Sequence, residues 1–162
     1  MTDLILDTER LRLVLDSAEA TRDWIDELGP EIRAQLSAEW LALVEAADEA
    51  DPWVHGFRMV QRDSDMVIGS CGFKGPPSAE GAVEIAYQVE PDWQGQGYAT
   101  ESARALAAYA AGQGGVRVVR AHTLPEENAS TRVLTKCGFE CVGEVIDPDD
   151  GPVWRWERRG GR

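Results

Sequence analysis

The chain has 162 residues, with twenty-nine acidic against sixteen basic side chains and a net charge of −13. Hydrophobic residues at 43% and charged residues at 28% exclude global disorder, and the length fits a single domain over residues 1–162. No apolar run approaches the ~18 residues of a transmembrane helix, and Met1-Thr2-Asp3-Leu4 does not open a secretory signal, so a cytoplasmic location is expected.

Residues 1–52 hold fourteen acidic and four basic residues, so most of the excess acid lies in the N-terminal third. Such a field disfavours nucleic acid or an anionic membrane as partner and attracts a cationic one, although a generally acidic, soluble surface explains it as simply. Cys71, Cys137 and Cys141 are odd in number, and a Cys-x3-Cys pair with only His55 and His122 is no zinc framework. No metal site is expected, and all three cysteines read as buried free thiols.

Arg10 to Leu15 alternates at period two, with Leu11, Leu13 and Leu15 on one face, and reads as a half-buried strand. Asp16, with Glu19 three residues on, suits the cap of a helix running to Leu28, where Gly29-Pro30 breaks it. A second helix is expected from Glu31 to Ala50, with Ile32, Leu36, Trp40, Leu43 and Val44 on its apolar face, ended by Asp51-Pro52. Trp53–Gln61 and Met66–Phe73 read as a hairpin around a turn at 62–65, and Ala82–Val89 as a further strand beyond a Gly/Pro-rich loop. An alanine-rich helix over Gly97–Ala111, a strand at Val116–His122 and a short helix at Asn128–Cys137 follow. Two last strands, Glu140–Val145 and Val153–Arg158, flank a turn over residues 147–152. The order strand, Gly-rich loop, helix, strand across 82–122 implies a parallel pair inside a sheet otherwise built from hairpins, hence a mixed α/β fold.

The chemistry concentrates at Gln94-Gly95-Gln96-Gly97-Tyr98-Ala99-Thr100, where small residues open a helix directly after a strand. A helix N-terminus offers unpaired N–H donors and a positive dipole end, a combination suited to phosphate oxygens. A dinucleotide-binding loop would need Gly or Ala where Thr100 stands, and a Walker loop would need Gly-Lys-Ser/Thr, which is absent.

Gln94-x-x-Gly97-x-Ala99 after a strand ending in Val89 resembles the acetyl-CoA pyrophosphate loop of the GCN5-related N-acetyltransferases. The block from His122 to Phe139, with Asn128-Ala129-Ser130-Thr131 and Lys136-Cys137-Gly138-Phe139, is similar to the Rim-type branch, which includes ribosomal-protein N-terminal acetyltransferases. Thr8-Glu9-Arg10-Leu11-Arg12-Leu13 also looks like that branch's first strand. The resemblance implies a mostly antiparallel sheet with one splayed parallel strand pair and helices on both faces. It implies an enzyme transferring the acetyl group of acetyl-CoA to a primary amine, of a protein N-terminus or a small molecule, by direct attack in a ternary complex. The alternative is a non-catalytic acyl-CoA-binding module on the same fold.

By the same resemblance, Gln88, Val89, Gln94, Gly95, Gln96, Gly97, Tyr98, Ala99, Thr100, Asn128, Ser130 and Thr131 would hold the cofactor. The Val89 N–H would polarise the thioester carbonyl. Glu84, a carboxylate inside an apolar strand, is the candidate general base, with a partnered strand-face Glu as the competing reading. The tyrosine that many relatives carry late in the second block is absent from Leu134-Thr135-Lys136, which leaves Thr131, Ser130 or water to protonate the thiolate. His122 suits a loop-anchoring hydrogen bond better than catalysis. Trp24, Trp53 and Trp93 are expected to line the acceptor groove and Trp40 to sit in the core. The expected assembly is a monomer, or a homodimer paired through an edge strand at Val153–Arg158.

Overall fold

The computed structural model describes residues 4–148 and 150–159; Met1, Thr2, Asp3, Asp149 and residues 160–162 lie outside it, including one position of the expected 147–152 turn. In chain order the elements are β1 (Ile5–Asp7), β2 (Leu11–Leu15), α1 (Ala18–Glu27), α2 (Pro30–Arg33), α3 (Ala38–Ala46), β3 (Phe57–Gln61), β4 (Val67–Phe73) and β5 (Ala82–Val89). A 3₁₀ turn at Pro91–Trp93 leads to α4 (Tyr98–Ala111), β6 (Val118–Thr123), α5 (Ala129–Lys136), β7 (Glu140–Asp147) and β8 (Gly151–Arg159). Among the described residues the strands form one 8-stranded sheet in the order β1-β2-β3-β4-β5-β6-β8-β7, in which only β5 and β6 pair in parallel.

Period-two alternation sorts the sheet into two faces. Leu11, Leu13, Phe57, Met59, Cys71, Phe73, Val83, Ile85 and Val119 point to one face and are buried under α4, whose Ala103, Leu106, Ala107 and Ala110 fill the contact. The alanines bring the helix axis close to the sheet without leaving voids. α5 lies beside α4 and adds Leu134 to the same core. On the other face, α1 and α3 build a smaller core around Ile25, Val44 and Val54.

Several expectations shift by identifiable local chemistry. The cap of α1 is Ser17, whose hydroxyl accepts the Ala20 N–H at 3.0 Å, whereas Asp16 is drawn to Arg58 at 2.9 Å. The single helix expected over 31–50 is two, because the Ser37 hydroxyl caps a new start by accepting the Trp40 N–H. Trp53 precedes β3 rather than opening it: the Asp51 carboxylate accepts the Trp53 N–H at 2.8 Å, and its carbonyl accepts the His55 N–H, closing a turn. The short β1 adds an edge strand that the alternation of Arg10–Leu15 alone did not announce. β8 lies between β6 and β7, so the sheet edge at that end is the exposed β7, not Val153–Arg158. Cys71 and Cys137 are buried as expected, but Cys141, on β7, is exposed. No helix among the described residues is long and apolar enough to cross a membrane.

Gly69 fixes the approach of β4 to β5, since a Cβ there would lie 2.3 Å from the Gln88 carbonyl oxygen and 3.0 Å from Val89 Cα. Gly69→Ala is expected to cost about 2–3 kcal/mol by overpacking, whereas Gly114→Ala, in open space, stays within about 0.5 kcal/mol. Urea denaturation of the two variants measures the difference.

Candidate active site at the parting of two parallel strands

The β5–β6 pairing covers only Ala82↔Val118, Val83↔Val119 and Glu84↔Arg120, after which the strands diverge. The Glu84 carbonyl accepts the Lys74 N–H and the Glu90 N–H donates to Ile68, so the even-numbered residues of β5 bond toward β4. By alternation, the Ile85 N–H closes the last step of the ladder to β6, and the N–H groups of Tyr87 and Val89 face the gap beyond it. The Val89 carbonyl is taken by the Gln94 side-chain amide at 2.8 Å, which ties the end of β5 to the glycine loop.

That loop turns through left-handed conformations at Gly95 (φ 76°) and Gly97 (φ 89°), the latter capping α4. Among the described residues, the N–H groups of Gly95, Gln96, Gly97, Tyr98, Ala99 and Thr100 meet no acceptor, and the first helical bond is Glu101 N–H to the Gly97 carbonyl. The Gln94 N–H is instead spent on the Pro91 carbonyl, so Gln94 braces the loop from both its backbone and its side chain. A run of free donors at a helix N-terminus fits the diphosphate of a coenzyme A.

Glu84 sits where the strands part, beside a cavity of about 110 Å³ that is also lined by Lys74, Tyr87, His122 and Ser130. Its carboxylate is 3.1 Å from Lys74 Nζ and 3.2 Å from His122 Nδ1. Burial pushes the Glu84 carboxyl up, but His122 and Lys74 outweigh it and hold the group below the usual carboxylate range. The Arg155 Nε–H donates to His122 Nε2 at 3.1 Å, which assigns the ring proton to Nδ1, facing Glu84 and, at 3.7 Å, Asp147. Glu84, His122 and Asp147 approach one another closely enough to suggest a metal cradle. Lys74 and Arg155 flank it, however, and Lys74 already supplies the positive charge a cation would bring. Both readings of Glu84 thus meet in one place: it is a partnered strand-face carboxylate, and it opens on the cleft.

On the face away from α4, a trough of about 280 Å³ runs over Ser70, Gly72, Ala86 and Gln88, walled by Trp40 and Val54. This reverses the expected roles of the tryptophans. Trp40, fixed by its Nε1–H to the Val54 carbonyl at 2.7 Å, lines the trough. Trp53 packs on Phe73 and Tyr109, Trp93 packs on Tyr98, and Trp24 stands exposed on α1. The trough's lining carries no carboxylate, so the N-terminal acidity does not converge on it.

Asn128 and Thr131 form a reciprocal capping box at the start of α5: Asn128 Oδ1 accepts the Thr131 N–H at 3.0 Å, and Thr131 Oγ1 accepts the Asn128 N–H at 3.0 Å. The Thr131 hydroxyl also donates to the Asn128 carbonyl and is buried. It is committed to the cap, unlike the half-buried Ser130 on the cavity wall. The structure brings in a residue that sequence reasoning missed. Tyr87, on β5, reaches across the gap to the Ser130 carbonyl at 3.4 Å, and burial pushes its hydroxyl up to about 12. Tyr87 shares its face of β5 with Ile85 and Val89, opposite Glu84, and its partner lies 43 residues away.

Residues 4–140 match the acetyltransferase (GNAT) domain family. YjdG of Bacillus subtilis (strain 168), named as an uncharacterized N-acetyltransferase, is 27% identical over 154 residues, covering 84% of this chain and 89% of that protein. The uncharacterized N-acetyltransferase p20 of Bacillus licheniformis is 29% identical over 91 residues, 56% of this chain and about half (51%) of its own length. A solved structure of RimL, a ribosomal L7/L12 alpha-N-protein acetyltransferase in complex with coenzyme A, superimposes with a TM-score of 0.68 at 19% identity, covering 98% of this chain and 99% of that one. A splayed parallel pair and a donor-rich loop, set in a domain-length sequence match, have one reading: the chain belongs to the GNAT acetyltransferase family.

Proposed function

We propose that the protein transfers the acetyl group of acetyl-CoA directly to an α-amine, that of a peptide N-terminus or a small neutral molecule, lying in the trough. The observation that carries this is the run of free N–H groups from Gly95 to Thr100 opening on the gap that begins at Glu84. When bound, acetyl-CoA would supply the activated acetyl thioester. The Gly95–Thr100 N–H groups would hold its diphosphate, the Ile85 and Tyr87 backbone its extended arm, and the Val89 N–H its carbonyl oxygen. Ser130, in the first turn of α5, stands on the opposite wall, and Asn128, which caps that helix, would meet the cofactor beside it.

Glu84 being ionised limits what it can do. An α-ammonium lies roughly three to four units above a carboxylate and a lysine-type ammonium about six, so outright deprotonation is costly for the first and prohibitive for the second. The amine therefore attacks in its neutral form, and Glu84 takes, directly or through water, the proton that C–N bond formation makes acidic on the nitrogen. The neutral trough, with Trp40 as wall and Ser70 and Gln88 as polar groups, suits one amine on a small uncharged carrier better than a polycation. Tyr87 is too weak an acid to protonate a thiolate fully; its hydroxyl donates a hydrogen bond to the departing sulfur.

Calorimetry with acetyl-CoA, and with NAD as comparison ligand, tests the loop: only acetyl-CoA is expected to bind. Gln96→Asp, which sets a carboxylate among the donors, should weaken that binding at least about tenfold with an unchanged thermal midpoint. Undiminished affinity in that variant rules the loop out as the diphosphate site. For turnover with an α-amine peptide, followed by release of CoA thiol, Glu84→Gln should lower kcat by about a hundredfold and Tyr87→Phe by about tenfold. Acetyl-CoA affinity should hold in both. Because Glu84 titrates below the usual range, it stays ionised while the amine loses its proton. Between about pH 5 and 9 the wild-type rate should then rise through the amine's own pKa, with no separate limb from Glu84. A limb near neutrality that Glu84→Gln removes would contradict this.

A further inference from the structure

Arg10, in the turn between β1 and β2, is far in sequence from the glycine loop yet bonded to it from behind. Its backbone N–H donates to Glu101 Oε2 and its Nε–H to Glu101 Oε1, both at 2.8 Å. The Thr8 hydroxyl donates to the same carboxylate. Glu101 is in the first turn of α4 and its side chain is 16% exposed. With Nε thus fixed, Arg10 Nη1 donates to the Gln96 carbonyl at 3.0 Å, and the guanidinium carbon stands 4.2 Å from the centre of the Tyr98 ring. Tyr98 is buried, and its hydroxyl accepts from the Gln61 amide at 2.8 Å, so the ring is itself held.

The geometry has a stereochemical consequence. The Gln96–Gly97 peptide is planar and trans, so its C=O and N–H point in opposite directions. Turning the Gln96 carbonyl toward Arg10 turns the Gly97 N–H away from it, out to where an anion would sit. A Cβ on residue 97 would come within 3.2 Å of Arg10 Nη2, and φ there is +89°, so glycine fits both the turn and the clamp.

We propose that Arg10, held by Glu101 and Thr8, is a positioning residue that aims the Gly97 N–H and the first turn of α4 at the cofactor's diphosphate. It acts through the loop and need not touch the ligand. The proposal rests on the reading of this loop as the diphosphate site. Burial would raise the Glu101 carboxyl, but Thr8 and Arg10 overcome it and hold the group low, so the clamp stays charged at neutral pH.

Chemical-shift titrations of ¹⁵N-labelled protein with CoA, dephospho-CoA and pantetheine separate aiming from general support. The first two ligands carry the diphosphate and the third does not. Arg10→Leu is expected to weaken CoA and dephospho-CoA alike, by about tenfold, and to leave pantetheine within about twofold. Arg10→Lys keeps a charge near Tyr98 but cannot reach Glu101 and the Gln96 carbonyl together, so it should show the same pattern at smaller amplitude. It also serves if Arg10→Leu fails to fold. Wild-type affinity for CoA in both variants, or an equal loss for pantetheine, overturns the proposal. A wild-type protein that does not bind CoA at all overturns the loop reading itself, and the role of Arg10 with it.

Discussion

The short parallel contact between β5 and β6 is the constraint on which the rest depends. Two parallel strands joined through a helix would ordinarily zip along their whole length, since each unpaired peptide group in a sheet interior is costly. Here the ladder stops after Glu84↔Arg120, and the peptide groups beyond it are left to be satisfied from outside the fold. The rest of the molecule makes this opening durable. Gly69 lets β4 press close against β5, Gln94 fastens the strand end to the loop, and the alanine face of α4 holds the other side under a close-packed core. A binding slot is thus obtained by omitting hydrogen bonds at one place in a sheet that makes them everywhere around it.

The electrostatics of the slot follow from its position. Burial pushes the half-buried carboxyl at the branch point up, but Lys74 from the loop after β4 and His122 from β6 outweigh it and favour the ionised form of Glu84. His122 is oriented in turn by Arg155 from β8, a strand that enters the sheet beside β6 only at the end of the chain. Glu84 therefore depends on contributions from three other segments. The glycine loop, by contrast, gets its positive character from backbone donors, which act locally despite the net charge of −13.

What the sequence made legible was what is decided locally. The alternation of Leu11, Leu13 and Leu15, the alanine-rich stretch after Gly97 and the short helix after Asn128 are each set by neighbours a few residues apart, and each element lies where the pattern put it. The crossover after Val89 was readable because strand, glycine loop and helix are contiguous. What stayed hidden is decided at long range or by competition between equal local options. Ser17 displaced Asp16 as cap because Arg58, forty-odd residues on, claims the aspartate. Ser37 cut one helix into two, Asp51 folded Trp53 into a turn, and the placing of β8 inside the sheet depends on which neighbour accepts it. The meeting of Tyr87 with Ser130, and of Arg10 with Gln96, has no trace in any short window.

The wall and the floor of the trough belong to different cores. Trp40 and Val54 are held in the small cluster around Ile25 and Val44, while the strands beneath them are rooted in the large cluster under α4. A change of side chain in α1 or α3 can reshape the space for an acceptor without passing through the packing that fixes Glu84, Val89 or the glycine loop. Under the proposed function, the fold separates two inheritances: the handling of the acyl donor would be written into the sheet, and the choice of recipient left to a helical attachment that can be rewritten alone.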